Sequence, residues 1–193
     1  KYSLFRETFK KHGSNKGGSW KHRNEILRSF YADLYEVELK EKKITNLLEI
    51  GIGFFISSPG SSLRSWKALF PTAKIYGADI DKRVLFEEEN IKTFFTDQLN
   101  KNELNKLKKN LNNIFFDVII DDGLHSYEAN INTFEVFGDS LSKEGLYFIE
   151  DIRYSDLDKY YKFFENSKFD FKIIECLNVN ETFGNCMIII RYK

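Results

Sequence analysis

Short, nearly uninterrupted apolar runs alternate along this chain with segments whose apolar residues recur at helical spacing. Strands that lack polar alternation are buried on both faces, which is typical of parallel sheets covered by helices. The predicted strands cover 44–51, 73–80, 91–97, 114–121 and 145–151, and the predicted helices cover 61–70, 101–113, 126–141 and 157–166. This alternation predicts an α/β fold with a doubly wound sheet and right-handed crossovers.

Both ends of the chain add elements to this pattern. Residues 169–177 and 184–193 are two further predicted strands, and the short polar turn between them requires antiparallel pairing. Residues 21–43 carry apolar residues at helical spacing, so they predict a helix ahead of the first strand. A serine is also available as the N-cap of the helix at 61–70.

Length and charge limit the classes of protein that the chain can belong to. Its 193 residues suit one domain, which we divide into an N-terminal arm and helix at 1–43 and a core at 44–193. Lys+Arg and Asp+Glu both number 29, so no surplus of positive charge favours a nucleic-acid or membrane partner. No apolar run approaches the roughly 20 residues that span a bilayer. Two cysteines, Cys176 and Cys186, do not make a disulfide framework, so we expect a cytoplasmic protein.

Two of the predicted strands end in glycines and acids. "NLLEIGIG" at 46–53 carries Glu49, Gly51 and Gly53, and "FDVIIDDGLH" at 116–125 ends in two acids, a glycine and a histidine. Ligands of doubly wound sheets bind at the carboxyl ends of the strands. A dinucleotide fingerprint needs a third glycine where this chain has Ile56.

The pattern E-x-G-x-G instead favours S-adenosylmethionine (SAM). The two glycines let the backbone approach the cofactor, and Glu49 can accept hydrogen bonds near its cationic methionine end. Asp79, or as second choice Asp81, can hold the two ribose hydroxyls, because a carboxylate offers two acceptor oxygens. Asp97 can accept from the adenine amino group. Each of these residues alone is also compatible with a tight turn or a helix cap, but their order at successive strand ends favours SAM.

This ordered series resembles the class I SAM-dependent methyltransferases, and the resemblance extends from about Gly13 to Asp151. It implies a seven-stranded Rossmann-like sheet of order 3-2-1-4-5-7-6, with the last hairpin antiparallel. The segment "GSNKG" at 13–17, followed by His22 and Tyr31, is similar to a G-T-D-K-G segment of sugar-directed O-methyltransferases. The similarity implies that the N-terminal arm folds over the cofactor, with Lys16 among the cofactor-binding residues.

The pattern D-D-x-x-H followed by E-D resembles metal-dependent sugar O-methyltransferases of macrolide biosynthesis. The resemblance implies that Asp122 and Asp151 bind Mg²⁺ or another divalent cation and that His125 is the general base. Two carboxylates on adjacent strands repel each other unless a cation or a proton lies between them. Asp121 is expected to face the cofactor or to cap the next helix, and Glu150 to be structural.

We therefore expect a bacterial SAM-dependent O-methyltransferase that acts on a hydroxyl of a sugar, glycan precursor or related small molecule in polysaccharide or natural-product biosynthesis. Three alternatives remain open: methylation of a phosphoryl or phosphoramidate oxygen in capsule modification, metal-independent N-methylation of a small molecule or protein, and a SAM-binding regulator without catalysis. Amino methylation of DNA or RNA is disfavoured, because no Pro-Pro pair follows the fourth predicted strand. An exposed aromatic-rich helix is compatible with a homodimer.

Overall fold

The structure is a computed structural model that describes residues 3–18, 20–22, 25–27, 31–53, 58–175 and 186–193, with backbone alone at 20–22 and 25–27. In this part of the chain, no helix is both long enough and apolar enough to cross a bilayer. Cys186 is buried, whereas Cys176 lies outside the described residues.

Helices and strands alternate through the described ranges, as the sequence pattern predicts. The helices are α1 (Leu4–Lys11), α2 (Tyr31–Leu39), α3 (Ser61–Leu69), α4 (Lys101–Asn110), α5 (Tyr127–Phe137) and α6 (Leu157–Phe164). The strands are β1 (Trp20–His22), β2 (Glu25–Leu27), β3 (Asn46–Ile50), β4 (Lys74–Asp79), β5 (Glu87–Glu88), β6 (Ile91–Phe95), β7 (Phe116–Asp121), β8 (Leu141–Ile152), β9 (Phe169–Glu175) and β10 (Cys186–Tyr192).

Eight of these strands form one sheet in the order β5-β6-β4-β3-β7-β8-β10-β9. The inner strands β6, β4, β3, β7 and β8 are parallel, and β10 is antiparallel to both β8 and β9. The predicted strand order and the antiparallel closing hairpin are therefore confirmed. The sequence pattern did not predict β5, a two-residue edge strand that pairs antiparallel with β6.

Apolar side chains fill a layer on each face of the sheet, which confirms the doubly wound arrangement. On one face, Leu48 and Ile119 pack with residues of α4, α5 and α6, including Phe134. On the other face, Leu47 and Ile75 pack with residues of α1, α2 and α3. Both faces of β3 and β7 are thus buried, which explains why their sequences lack polar alternation.

Helix α1 is an element that the sequence analysis did not predict. Ser3 caps it by accepting a hydrogen bond from the backbone N–H of Arg6. Phe5 and Phe9 lie one turn apart and are buried, and the Phe9 ring meets Trp66 of α3 edge-on at 4.7 Å between centroids. The i, i+4 phenylalanines after a serine were the available signal. The division into an arm at 1–43 and a core at 44–193 stays a prediction.

The predicted helix at 21–43 is wrong at residues 21–22 and 25–27. Residues 20–22 and 25–27 pair as the antiparallel strands β1 and β2, and the described helix α2 spans Tyr31–Leu39. The adjacent pair Ile26 and Leu27 is too short to separate helical from strand periodicity.

The predicted serine N-cap of α3 is also wrong. Gly60 precedes the helix in a left-handed conformation with φ of 73°, and no side chain caps the helix. A Cβ at this position would lie 2.2 Å from the Phe86 ring, so glycine is required there. The Ser61 hydroxyl instead donates to the Ser58 carbonyl at 2.6 Å.

Candidate active site

The predicted site acids converge on one edge of the sheet. Glu49 lies near the end of β3 and Asp79 at the end of β4. Asp122 follows β7, and Asp151 is the penultimate residue of β8. Glu49 and Asp122 both lie within 3.4 Å of one lysine nitrogen. The expectation that these carboxylates share one edge is therefore confirmed.

That lysine is Lys16, whose side chain is 2% exposed. Its Nζ lies 2.6 Å from Asp122 Oδ2, 2.8 Å from both carboxylate oxygens of Glu150 and 3.4 Å from Glu49 Oε1. A short 3₁₀ turn, Asn15–Gly17, carries it beneath α1. Gly17 permits this approach, because a Cβ there would lie 2.7 Å from the backbone nitrogen of Lys10.

The charges around Lys16 do not balance. Burial opposes its positive charge, but Asp122, Glu150 and Glu49 outweigh that effect and raise the pKa of Lys16 well above its usual range. Burial and the neighbouring Asp122 charge raise the pKa of Glu150 well above its usual range, and that of Asp151 also rises. One ammonium thus faces more carboxylates than it can neutralise.

Helix α2 supplies two hydroxyl donors to these carboxylates. Tyr31 donates to Asp151 Oδ1 at 2.6 Å and accepts from the Asp151 backbone N–H at 3.1 Å. Tyr35, one turn later, donates to Glu150 Oε1. Burial, aided by these carboxylates, raises the pKa of both tyrosines well above the usual range. Both therefore remain protonated donors at neutral pH.

Asp122, His125 and Asp151 form a more open cluster above Lys16. One ligand atom of each lies within 4.8 Å of the others. His125 Nε2 is 3.8 Å from Asp122 Oδ1 and 3.8 Å from Asp151 Oδ2, and the three side chains are 20% to 34% exposed. Carboxylate oxygens suit hard divalent cations such as Mg²⁺ and Mn²⁺, and imidazole suits Fe²⁺ or Zn²⁺. This donor set fits a divalent cation that keeps positions open for a ligand.

The backbone at this cluster is unusual. His125 and Asp151 both have φ of 55°, in the left-handed region that few non-glycine residues adopt. Such conformations collect at functional sites, where the surrounding structure holds them in place. Ser126 contributes to that support, because it caps α5 immediately after His125 by accepting from the Ala129 N–H.

The glycine-containing loop after β3 has a different organisation. Asp79 Oδ2 accepts hydrogen bonds from the backbone N–H groups of Ile52 and Gly53, at 2.9 and 3.0 Å. A Cβ at Gly51 would lie 2.1 Å from the Asp122 carbonyl oxygen, and one at Gly53 would lie 2.8 Å from the Val84 side chain. The chain's own backbone thus requires glycine at Gly51, and packing against Val84 favours glycine at Gly53, whereas the sequence analysis attributed both glycines to the cofactor. Ile56 lies outside the described residues.

Asp81 and Asp97 serve local turns in the structure. Asp81 accepts from the backbone and the guanidinium of Arg83, and these hydrogen bonds lower the pKa of Asp81 to about 2. Asp97 accepts from the backbone N–H of Leu99 at 2.9 Å. The alternative interpretation of Asp81 and Asp97 as turn acids is therefore confirmed. Their contacts with a cofactor stay predictions.

Glu49 and Asp121 are completely buried. Glu49 Oε2 accepts from the Trp66 indole N–H at 2.9 Å, and Asp121 Oδ1 accepts from the Gln98 amide at 2.7 Å. Burial raises the pKa of both carboxyl groups. Asp121 neither faces the open edge nor caps α5, whose cap is Ser126.

Sequence reasoning missed three participants in this site: Glu150, Tyr35 and Trp66. Glu150 was expected to be structural because side chains alternate along a strand, yet both its oxygens contact Lys16. Tyr35 follows Tyr31 by one helical turn, which was the available signal for a second hydroxyl on the same face. The His22 side chain lies outside the described part of the chain.

Comparison with solved structures defines the class of protein. A crystal structure of the MycE methyltransferase of the mycinamycin biosynthetic pathway, in complex with Mg, SAH and mycinamycin VI, superposes with a TM-score of 0.63 at 28% identity. The match covers 78% of this chain and 39% of that chain. Together with the strand order, it gives this chain the fold of class I SAM-dependent methyltransferases, as its sequence predicts.

The curated relatives narrow this resemblance to O-methyltransferases. Demethylmacrocin O-methyltransferase of Streptomyces fradiae is 38% identical over 108 residues, which are 55% of this chain and 27% of that protein. The 8-demethyl-8-alpha-L-rhamnosyl tetracenomycin-C 2'-O-methyltransferase of Streptomyces olivaceus is 30% identical over 150 residues, 75% of this chain and 36% of that protein. The chain therefore spans only about a third of these relatives. No protein-family model matches it.

Proposed function

We propose that this chain catalyses the transfer of a methyl group from SAM to a hydroxyl of a sugar-containing small molecule, assisted by a divalent cation. One observation carries the proposal: Asp122, His125 and Asp151 form an open cluster of metal-ligand type. This cluster lies at the carboxyl edge of a methyltransferase sheet, beside the loop of Gly51 and Gly53. A similar fold binds Mg and SAH in MycE.

In this proposal, the methyl donor lies over the carboxyl ends of β3, β4 and β6. Asp79 holds the loop of Gly51 and Gly53 in place and offers its carboxylate to the ribose hydroxyls, with Asp81 as the second acid nearby. The apolar side chains of Ile80 and Leu99 are 63% and 49% exposed on this edge. Such side chains suit the planar faces of adenine, and Asp97 accepts a hydrogen bond from the adenine amino group.

Three of the predicted donor-binding residues act from behind this surface. Glu49, Asp121 and Lys16 are each at most 2% exposed, so their support of the donor is indirect. Glu49 provides buried negative charge near the cationic end of the donor. Asp121 fixes Gln98, whose Oε1 accepts from the backbone N–H of Leu124 at 2.8 Å and so holds the loop before His125.

The acceptor hydroxyl reacts at the open cluster. Asp122 and Asp151 would hold the divalent cation, which would supply positive charge that makes the acceptor hydroxyl more acidic. His125 removes the hydroxyl proton, and the acceptor oxygen forms a bond to the methyl carbon as the carbon–sulfur bond breaks, which leaves SAH. Tyr31 keeps Asp151 oriented through its hydrogen bond.

The relatives favour a sugar as the acceptor. One is named for 2'-O-methylation of a rhamnosyl tetracenomycin, and another for 2''-O-methylation of mycinamicin VI. These names favour a sugar on a small natural product over a polysaccharide or a capsular phosphoryl group. A cytoplasmic location and a homodimer stay predictions.

Two measurements test the proposed function. Calorimetric titration should show binding of SAH and none of NAD⁺, and preferential binding of NAD⁺ would contradict the donor assignment. Turnover on a panel of glycosylated small molecules should be lost in EDTA and restored by Mg²⁺ or Mn²⁺. Turnover that persists in EDTA would favour the metal-independent alternative, and SAH binding without turnover of any hydroxyl would favour the regulator.

A further inference from the structure

Asp122 faces two cation positions at once. Its Oδ2 lies 2.6 Å from the buried Lys16 ammonium, and its Oδ1 lies 3.8 Å from His125 in the open cluster. Lys16 is 2% exposed, whereas Asp122 and His125 are 20% and 34% exposed. The two positions are therefore neighbours that differ in access: one is closed by the arm, and the other opens to solvent.

The group carries more negative charge than Lys16 can neutralise. Glu49, Glu150 and Asp122 contact the ammonium directly, and Asp151 joins them through the open cluster. Among the described residues, no lysine or arginine other than Lys16 forms an ion pair with these carboxylates. Removal of its charge would leave buried carboxylates facing one another, which is strongly unfavourable in a poorly solvated site.

We propose that Lys16 is a positioning residue that acts as the built-in counter-ion of this acid group: it holds the carboxylates together before a divalent cation binds, and it weakens the binding of that cation by repulsion across Asp122. The inference rests on the proposed function, because it assumes the divalent site of Asp122 and Asp151. It assigns to the N-terminal arm the control of cation affinity.

This role predicts that loss of Lys16 lowers the stability of the cation-free protein and raises its affinity for a divalent cation. Without Lys16, the acid group repels itself, so the protein that lacks a divalent cation becomes less stable. The same group attracts a divalent cation more strongly, because like-charge repulsion from the ammonium has gone. If Lys16 merely filled space, a substitution that keeps its length and removes its charge would change stability little and would not tighten the binding of a cation.

The experiment compares wild type with Lys16→Met, which keeps the length of the side chain and removes its charge. The matched control is Lys101→Met, which breaks the exposed Lys101–Glu135 ion pair at 2.5 Å. Mn²⁺ serves as the probe, with its dissociation constant measured by calorimetry and the melting temperature measured in EDTA and in saturating Mn²⁺. We expect Lys16→Met to melt several degrees lower in EDTA, to regain most of this loss in Mn²⁺, and to bind Mn²⁺ at least about fivefold more tightly. Lys101→Met should match wild type in both measurements.

The outcomes separate this inference from the proposed function. Folded Lys16→Met that binds Mn²⁺ equally or more weakly overturns the inference and leaves the proposed function intact. If Lys16→Met does not fold in EDTA, recovery of its folded structure on addition of Mn²⁺ supports the inference, and failure to recover overturns it. Should wild type bind no Mn²⁺ and turn over in EDTA, both the metal-assisted function and this inference fall.

Discussion

The two halves of the sheet edge satisfy their carboxylates in different ways. In the half formed by β4 and β6, Asp79, Asp81 and Asp97 accept hydrogen bonds from backbone N–H groups. In the half formed by β7 and β8, the carboxylates Asp122 and Glu150 accept from Lys16, and Asp151 accepts from Tyr31. We call these the amide-capped half and the acid-rich half.

The amide-capped half is characterised by a fixed shape, and the acid-rich half by its excess of negative charge. Backbone amides fix the amide-capped half in one conformation, so its acids hold a loop in a preformed shape. In the acid-rich half, the partners are side chains 106 to 134 residues away in sequence, and the negative charge exceeds the positive charge. Such an arrangement is suited to a further cation and to proton transfer.

The largest effect should come from His125→Asn, which tests whether chemistry belongs to the acid-rich half. Asparagine tolerates the left-handed backbone at this position, so the fold should persist. Turnover should fall roughly 10²- to 10⁴-fold, because the acceptor hydroxyl loses its base. Steady-state kinetics give this value, and SAH affinity from calorimetry should change by less than about twofold. Loss of SAH affinity in parallel with turnover would place His125 in the donor site instead.

Asp79→Ala tests the amide-capped half in the converse way. The backbone N–H groups of Ile52, Gly53 and Asp81 lose their acceptor, at about 1–3 kcal/mol for each donor left buried without a partner. SAH affinity should therefore fall roughly 10- to 100-fold. Mn²⁺ affinity, measured on the same preparation, should stay at the wild-type value. A variant that loses Mn²⁺ binding and keeps SAH binding would reverse the assignment of the two halves.

Tyr31→Phe sharpens the comparison within the acid-rich half. Asp151 loses the hydrogen bond that orients it, and Mn²⁺ affinity should fall about tenfold, the lower end for groups that support a metal ligand. Tyr161→Phe is the matched control, since Tyr161 is 52% exposed on α6. Equal Mn²⁺ affinities for the two variants would show that Tyr31 does not orient the ligand.

Asp81→Asn should have the smallest effect, because Asp81 pairs with Arg83 at the solvent-exposed surface. SAH affinity should stay within about twofold of wild type. Arg83 lowers the pKa of Asp81 to about 2, so any stabilisation by this pair is present above the ordinary pKa near 3.8 and is lost as the pH falls through about 2. Thermal melts of wild type and Asp81→Asn should therefore differ most near neutral pH and converge in acid. A large loss of SAH affinity would assign the binding of the ribose hydroxyls to Asp81 instead of Asp79.

The same comparison explains what the sequence could predict. The strand order followed from the family resemblance. The positions of Glu49, Gly51 and Asp79 followed from local patterns, because a strand, a turn and its acid are neighbours along the chain. Asp97 was equally local. Its alternative interpretation as a turn acid is confirmed, and its contact with a cofactor stays a prediction, because both interpretations require the same residue at the same strand end.

The remainder depends on contacts between distant parts of the chain. No local pattern shows that the Lys16 ammonium meets Glu150, 134 positions later. The hairpin of β1 and β2 escaped prediction because two adjacent apolar residues fit either period. Helix α1 was missed although Phe5 and Phe9 gave a local signal, because a helix of eight residues is marginal alone and its packing against Trp66 is not a local pattern.

The pairing of Lys16 with Glu150 also bears on how the chain is made. A ribosome that adds about 5–20 residues per second needs roughly 7–27 seconds to travel between these two positions. Throughout that interval, the emerging arm lacks Glu150 as a partner for its ammonium, although its other partners, Glu49 and Asp122, are synthesised earlier. Nascent chains halted before residue 150 should therefore expose the arm to proteases, and chains released beyond it should protect it.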